Sequence, residues 1–319
     1  MWKPRVAAWM FAVGMMVAGA VSGQEYPART IRIITGGAGG GNDIVARLIA
    51  HELTGRLGQQ VIVDNRASGT IPGEVVAKAE PDGYTLVLGG RSFWIAPLMV
   101  SGKMPYHPVK DFSPITIPVR TVNILAVHPS LPVKSVKDLV ALARARPGEL
   151  NYGASGIGSS PHLAGELFNA VAGVNIVRIN YRAMPAVYVD LMSGQVQVAF
   201  GSATSVAPHM KSGKMKALAV TSAQPSRLAP GLPTVAASGL PGYEFVSPFV
   251  MLAPARTPKP IVGRLHKEIV LVLNDAGIRD KLLNSKIGEA VGSSPEQVAA
   301  MMASEMDKLG RIIKGASGK

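Results

Sequence analysis

The 319-residue chain has no cysteine. Disulfides, thiolate nucleophiles and cysteine-ligated metal sites are therefore excluded together. Aromatic residues are sparse at 5%, and although Lys and Arg outnumber Asp and Glu 33 to 20, the basic residues are spread thinly. A positive chain without stacking platforms or a basic stripe does not fit nucleic acid. Its net charge of +13 suits small anions or an acidic surface instead. Histidine is scattered over six positions without ligand spacing and no His-Glu-x-x-His occurs, so neither a metal nor a cofactor is expected.

Long apolar runs are also missing, with one exception at the start. "MWKPR" carries Lys3 and Arg5, "VAAWMFAVGMMVAGAV" is apolar, and Ala18-Gly19-Ala20 supplies the small residues of a cleavage site. The run falls short of the roughly 20 residues that cross a bilayer, so residues 1–23 read as a cleaved export signal, with a membrane anchor as the rival. The mature protein is expected in the periplasm, where free ATP and NAD are scarce.

Short β-branched runs alternate with helical patterns. "TIRIIT" is followed by a helix with Ile44, Val45, Leu48, Ile49, Leu53 and Leu57 on one face, then by "QVIVDN". The alternation continues through "VQVAFGS" and "MKALAVTS", which predicts an α/β protein with parallel sheets covered on both faces. The C-terminal part reads as two helices, 258–284 and 294–314. Pro-rich stretches before Asn123 and Phe249 read as two crossings between lobes. One lobe is then 24–122 plus 247–319, the other 123–246, and the two crossings form a hinge.

Gly-rich loops open two of the predicted helices. The first, Gly36 to Gly41 in "ITGGAGGGNDIV", lacks the third glycine of a dinucleotide fingerprint and the Gly-Lys-Ser/Thr of a phosphate loop. Asp64 ends the next strand, where a ribose-binding acid would stand, but it reads more readily as a strand-end turn residue with Asn65. Glycines at a helix start expose backbone N–H groups to an anion, or make a tight turn. A second such loop, "NYGASGIGSSPH", favours the anion reading, with Ser160 as the expected N-cap and Pro161 following. Ile157 spoils a Gly-x-Ser-x-Gly nucleophile elbow, so no catalytic constellation is present. His162 either reaches a ligand or hydrogen-bonds loop backbone. Arg91, just after the strand in "YTLVLGGR", either takes a carboxylate bidentately or faces solvent. Phe93 and Trp94 are expected to be core or hinge packing.

At these residues the sequence resembles the periplasmic solute receptors of tripartite tricarboxylate transporters, the Bug (Bordetella uptake gene) receptors, along nearly its whole mature length. The resemblance rests on "GGGNDIVARLIAHELTGRLGQQVIVDNR", "VAKAEPDGYTLVLG", "HPSLPVKSVKDLVALARARPGELNYGASGIGSSPHLAGELF" and "APHMKSGKMKALAVTS". It implies a type II periplasmic binding protein, two doubly wound α/β lobes that close on a small carboxylate and deliver it to integral membrane subunits. The candidate ligand-binding residues are Gly37, Ala38, Gly39, Gly40, Gly41 and Asp43 in the first loop. Ser155, Gly156, Gly158, Ser159, Ser160 and His162 belong to the second, with Arg91, Tyr181 and Gly201 beside them. The family's acid that pairs with a ligand ammonium is replaced here by Gly201. A ligand without an amino group is thus expected, with a second carboxylate for Arg91. Thr35, where relatives carry an aromatic and prolines, is the expected seat of specificity. The chain is expected to be a monomer with no catalytic activity. The alternatives are a sensor for a membrane histidine kinase and a dinucleotide-dependent enzyme on Asp64.

Overall fold

The computed structural model describes residues 26–39, 41–66, 70–91, 93–94, 105–155 and 158–317, with side chains as far as Asp307. The export signal, Gly40 and Gly156 therefore lie outside the described residues.

Two mixed sheets, each covered by helices, carry the chain. In the first, β1 (Ile31–Thr35) lies between β2 (Val61–Asn65) and β3 (Thr85–Gly89), parallel to both. Its "IRIIT" buries Ile31 and Ile33 on one face and Ile34 on the other, as suits a strand between two core layers. Helix α1 (Gly41–Leu57) covers one face with Val45, Leu48, Ile49 and Leu53, all buried; each such side chain stabilises the fold by about 1.5–3 kcal/mol. Helix α2 (Ile71–Ala77) connects β2 to β3.

The remaining strands of this sheet depart from the parallel expectation. β11 (Val250–Pro254) runs antiparallel to β3 and to the edge strand β4 (Phe112–Thr116). The Pro-rich "SPIT", read from sequence as a crossing, is thus largely β4 itself. An edge strand tolerates Pro114 because one side of its backbone donates to no ladder.

The second sheet is built on β5 (Val119–Val127). Its later half pairs antiparallel with β8 (Val198–Ser202) and β9 (Lys216–Val220), while β6 (Asn151–Ser155) joins β8 and β7 (Val177–Tyr181) in parallel. Its earlier half pairs instead with β10 (Val246–Pro248) and the short β12 (Glu289–Ala290). Helices α3 (Val136–Ala145), α4 (Ser160–Ala172), α5 (Met184–Ser193) and α6 (Ala203–Lys211) fill the connections.

The predicted helix 258–284 is two helices, α7 (Lys259–Asn274) and α8 (Ala276–Asn284). The break falls at Asp275, whose carboxylate accepts the Ile278 N–H at 3.0 Å and starts the second helix. The last helix, α9 (Pro295–Ser317), runs past its expected end at 314. Among the described residues no helix is long and apolar enough to cross a membrane.

Candidate functional site

Both Gly-rich loops close by the same device. In the first, Gly39 has φ +77°, a conformation natural only to glycine, and its N–H donates to Asp43 Oδ2 at 2.8 Å. In the second, Gly158 has φ +76° and its N–H donates to His162 Nδ1 at 2.9 Å. Each acceptor stands at the third position of the helix that follows, so each helix clasps its own loop through a residue four positions on.

The clasp residues are held from behind. Asp43 is 3% exposed, and its Oδ1 takes the Asn65 amide at 2.9 Å and the Arg47 guanidinium at 3.0 Å. Burial opposes its charge, but the Gly39 N–H, Asn65 and Arg47 together hold the carboxyl below the usual carboxylate range. Asn65 also donates to the Gly36 carbonyl at 2.8 Å. The expectation that Asp43 and the Gly39 N–H face a ligand is therefore corrected: both are spent on shaping the loop. Gly37 and Ala38, both exposed, form its rim, and Gly41 begins α1.

His162 is likewise buried and committed to its loop. Burial, then the nearby Arg178 charge, push its pKa down to about 4, with Glu166 opposing, so the ring is neutral at pH 7 and Nδ1 is free to accept the Gly158 N–H. The helix cap lies one residue earlier than the sequence suggested. Ser159, not Ser160, is the N-cap, its hydroxyl accepting the His162 N–H. Ser160 is thereby released to make other bonds. Its Oγ lies 2.9 Å from Asn123 Nδ2 on β5 and 2.7 Å from Ser247 Oγ on β10. Ser155 ends β6 half-buried, at the mouth of the same loop.

The segment 247–249 therefore touches both loops. Ser247 meets Ser160 at the start of α4, and two residues on, the Phe249 ring lies over the start of α1. A Cβ added at Gly41 would stand 3.1 Å from Phe249 Cζ, and one at Gly90 would stand 3.6 Å from the ring and 3.3 Å from Asn42 Oδ1. Sequence reasoning missed Asn123, Ser247 and Phe249. The one available signal was Asn123, a polar residue in the middle of a largely apolar strand; Ser247 meets Ser160 across 87 residues of chain.

The outlying candidates are placed as follows. Arg91 is 6% exposed and is not free for a carboxylate. Its guanidinium pairs with Glu305 of α9 at 2.5 Å, donates to the Val246 carbonyl of β10 at 2.5 Å and stacks over Phe245 with Cζ 4.2 Å from the ring centre. The ion pair closes without a well-aligned hydrogen bond to Glu305 Oε2. Tyr181 ends β7, its hydroxyl donating to Asp190 at 2.6 Å, and burial with that carboxylate pushes its pKa up to about 12. Gly201 on β8 has no room for a side chain, since a Cβ would stand 2.5 Å from Val206 and 2.8 Å from the Tyr188 hydroxyl. Thr35, expected to set specificity, is wholly buried and donates to the Leu88 carbonyl at 2.9 Å. Asp64 is paired with Arg32 and Arg66, as suits a strand-end residue. Phe93 and Trp94 are core, Phe93 packing edge-on to Phe112 with ring centres 4.9 Å apart. Among the described residues no group of His, Asp or Glu is placed to hold a metal ion.

Residues 45–317 match the tripartite tricarboxylate transporter family receptor. The chain belongs to this family. Its members bind substrates rather than transform them, so the protein is a receptor and not an enzyme. Solved structures agree with the fold. The R. palustris protein Rpa4515 with adipate is 35% identical, with 92% of this chain and 99% of that one covered and a TM-score of 0.79. The periplasmic binding protein BugD is 30% identical (92% and 99% covered, TM-score 0.78). MatC from Rhodopseudomonas palustris with bound malate is 26% identical (90% and 100% covered, TM-score 0.77). The receptor thus has the two-lobed α/β fold of periplasmic binding proteins.

Proposed function

We propose that this receptor is exported to the periplasm, closes two lobes on one small carboxylate and, as a monomer, presents it to the integral membrane subunits of a tripartite tricarboxylate transporter. The lobes are 24–122 plus 247–319 and 123–246, and β5 and β10 are the strands that flex. The observation that carries this reading is the contact of segment 247–249 with the starts of both α1 and α4. An anion there meets two helix N-termini, each contributing about half a positive charge. Hydrogen bonds to a charged group contribute about 1.5–3 kcal/mol each, so a few are enough for micromolar affinity, about 8 kcal/mol, after ordering costs. The ligand residues are Gly37, Ala38, Gly40 and Gly41 of the first loop and Ser155 and Gly156 of the second, with Tyr181 and Gly201 as walls.

Two dicarboxylates bound to similar proteins, adipate and malate, support a carboxylate. Gly201 supports a ligand without an amino group, because Tyr188 and Val206 fill the space an acid would need. A second carboxylate no longer follows from Arg91, whose charge is already matched by Glu305.

The test is a thermal-shift panel of mono-, di- and tricarboxylates, with aspartate, glutamate, NAD and ATP as controls. A bound carboxylate at about a hundredfold its Kd adds about 2.7 kcal/mol and raises the midpoint by several degrees. A shift with NAD alone would refute the reading.

A further inference from the structure

The two crossing strands have different faces. Thr121 and Asn123 on β5 and Ser247 on β10 share one, where Thr121 and Ser247 are directly paired, and all three are buried. Arg120, Val122 and Val246 face the other way, onto a separate recess that also holds Glu244 and Glu289. The first face is the one that meets α4. There, Asn123 Nδ2, Ser160 Oγ and Ser247 Oγ form a chain with separations of 2.9 and 2.7 Å, both ordinary hydrogen-bond lengths.

Proton counting fixes the first bond of this chain. The Asn123 amide nitrogen only donates, so Ser160 Oγ accepts from it. Between Ser160 and Ser247 either hydroxyl can donate, and an anion that takes the Ser247 proton selects the head-to-tail order, Ser160 donating to Ser247, in which each hydroxyl accepts once and donates once and successive bonds polarise one another. In that order Ser247 retains its own proton, and its hydroxyl makes no further hydrogen bond among the described residues. A buried O–H at the end of a polarised donor chain calls for an acceptor, and an anion is the strongest one.

We propose that Ser247 is a ligand-binding residue, donating its hydroxyl proton to one carboxylate oxygen, with Asn123 and Ser160 as the positioning residues behind it. This rests on the carboxylate-receptor reading above. It places a hinge-strand side chain in direct contact with the solute, so that a carboxylate bridging Ser247 and the first loop draws the crossing strand toward α1.

The experiment is titration calorimetry of the full receptor with adipate, malate and whichever other carboxylate the panel shows to bind most tightly. It compares wild type with Ser247→Ala, Ser247→Thr and Ser160→Ala, each also melted without ligand. Ser247→Ala is expected to weaken binding by about tenfold to a hundredfold, well beyond the small fall in ligand-free midpoint from the lost Ser160 bond, and Ser247→Thr, which keeps the hydroxyl, to restore most of it. Ser160→Ala is expected to weaken binding less, because Ser247 keeps its proton and loses only the donor behind it. If Ser247→Ala binds within about twofold of wild type, or loses affinity only in proportion to a lower ligand-free midpoint, the assignment of Ser247 is overturned while the receptor reading stands. If wild type binds no carboxylate, both fall.

Discussion

The His162 clasp makes stability depend on pH in a defined window. In the unfolded chain an imidazole takes its proton near pH 6.5, whereas in the fold burial and Arg178 hold it off until about pH 4. Between these values the unfolded state binds a proton that the folded state refuses, so stability rises with pH there. Its full contribution is present above pH 6.5 and is lost as pH falls toward 4. At about 1.4 kcal/mol for each tenfold change in proton affinity, the loss reaches about 3 kcal/mol, most of it by about pH 4.5. Protonation also places a hydrogen on Nδ1, which then no longer accepts the Gly158 N–H. The comparison variant is His162→Asn, whose Oδ1 stands in for Nδ1 without titrating. Urea unfolding of both proteins in steps from about pH 7 to about pH 4.5 isolates the effect, since the other carboxyl groups titrate alike in each. The wild type is expected to lose about 2.5 kcal/mol relative to the variant over that range. Parallel curves would refute the reasoning.

Other consequences are as direct. Glu305→Ala strands the buried Arg91 charge and should cost about 2–3 kcal/mol in urea unfolding, below the usual value for a buried pair because Glu305 is 20% exposed. The double variant Arg91→Leu/Glu305→Leu should recover much of that loss, and additive losses would exclude coupling. Asp43→Ala leaves the Gly39 N–H and the Asn65 amide without their acceptor, and should lower stability by about 1–3 kcal/mol and weaken carboxylate binding in the same calorimetric titration. Gly201→Ala forces a methyl against Val206 and Tyr188, and should cost about 1–3 kcal/mol by thermal melt.

The parts of the fold visible in sequence were those with local periodicity. β1, α1 and β2 announce themselves by a β-branched run, a helical stripe and a second run. β11 is buried at every position, a pattern that a short helix shares, and β10 is three residues long. Nothing local marks either as antiparallel, because that depends on partners far along the chain. The site divides the same way. Glycines before a helix identified both loops, but the choice of donors left over for a ligand depends on which N–H groups the loops consume themselves. Asp43 and His162 look like ligand residues in sequence because acids and imidazoles do bind ligands; only the geometry shows them turned inward. Arg91 was misread for a related reason, since its partner Glu305 lies on the last helix.

The paired clasps separate two jobs that a single loop would otherwise perform together. Shape is fixed by Gly39 with Asp43 and by Gly158 with His162, at the start of each helix, while the rim residues Ala38 and Ser155 take no part in those bonds. Substitutions at the rim can therefore change which solute is chosen without unfolding the loop that presents it. A scaffold of this kind lends itself to re-targeting: libraries confined to the rim, with the four clasp residues left alone, should yield folded receptors for new anions far more often than libraries that include them.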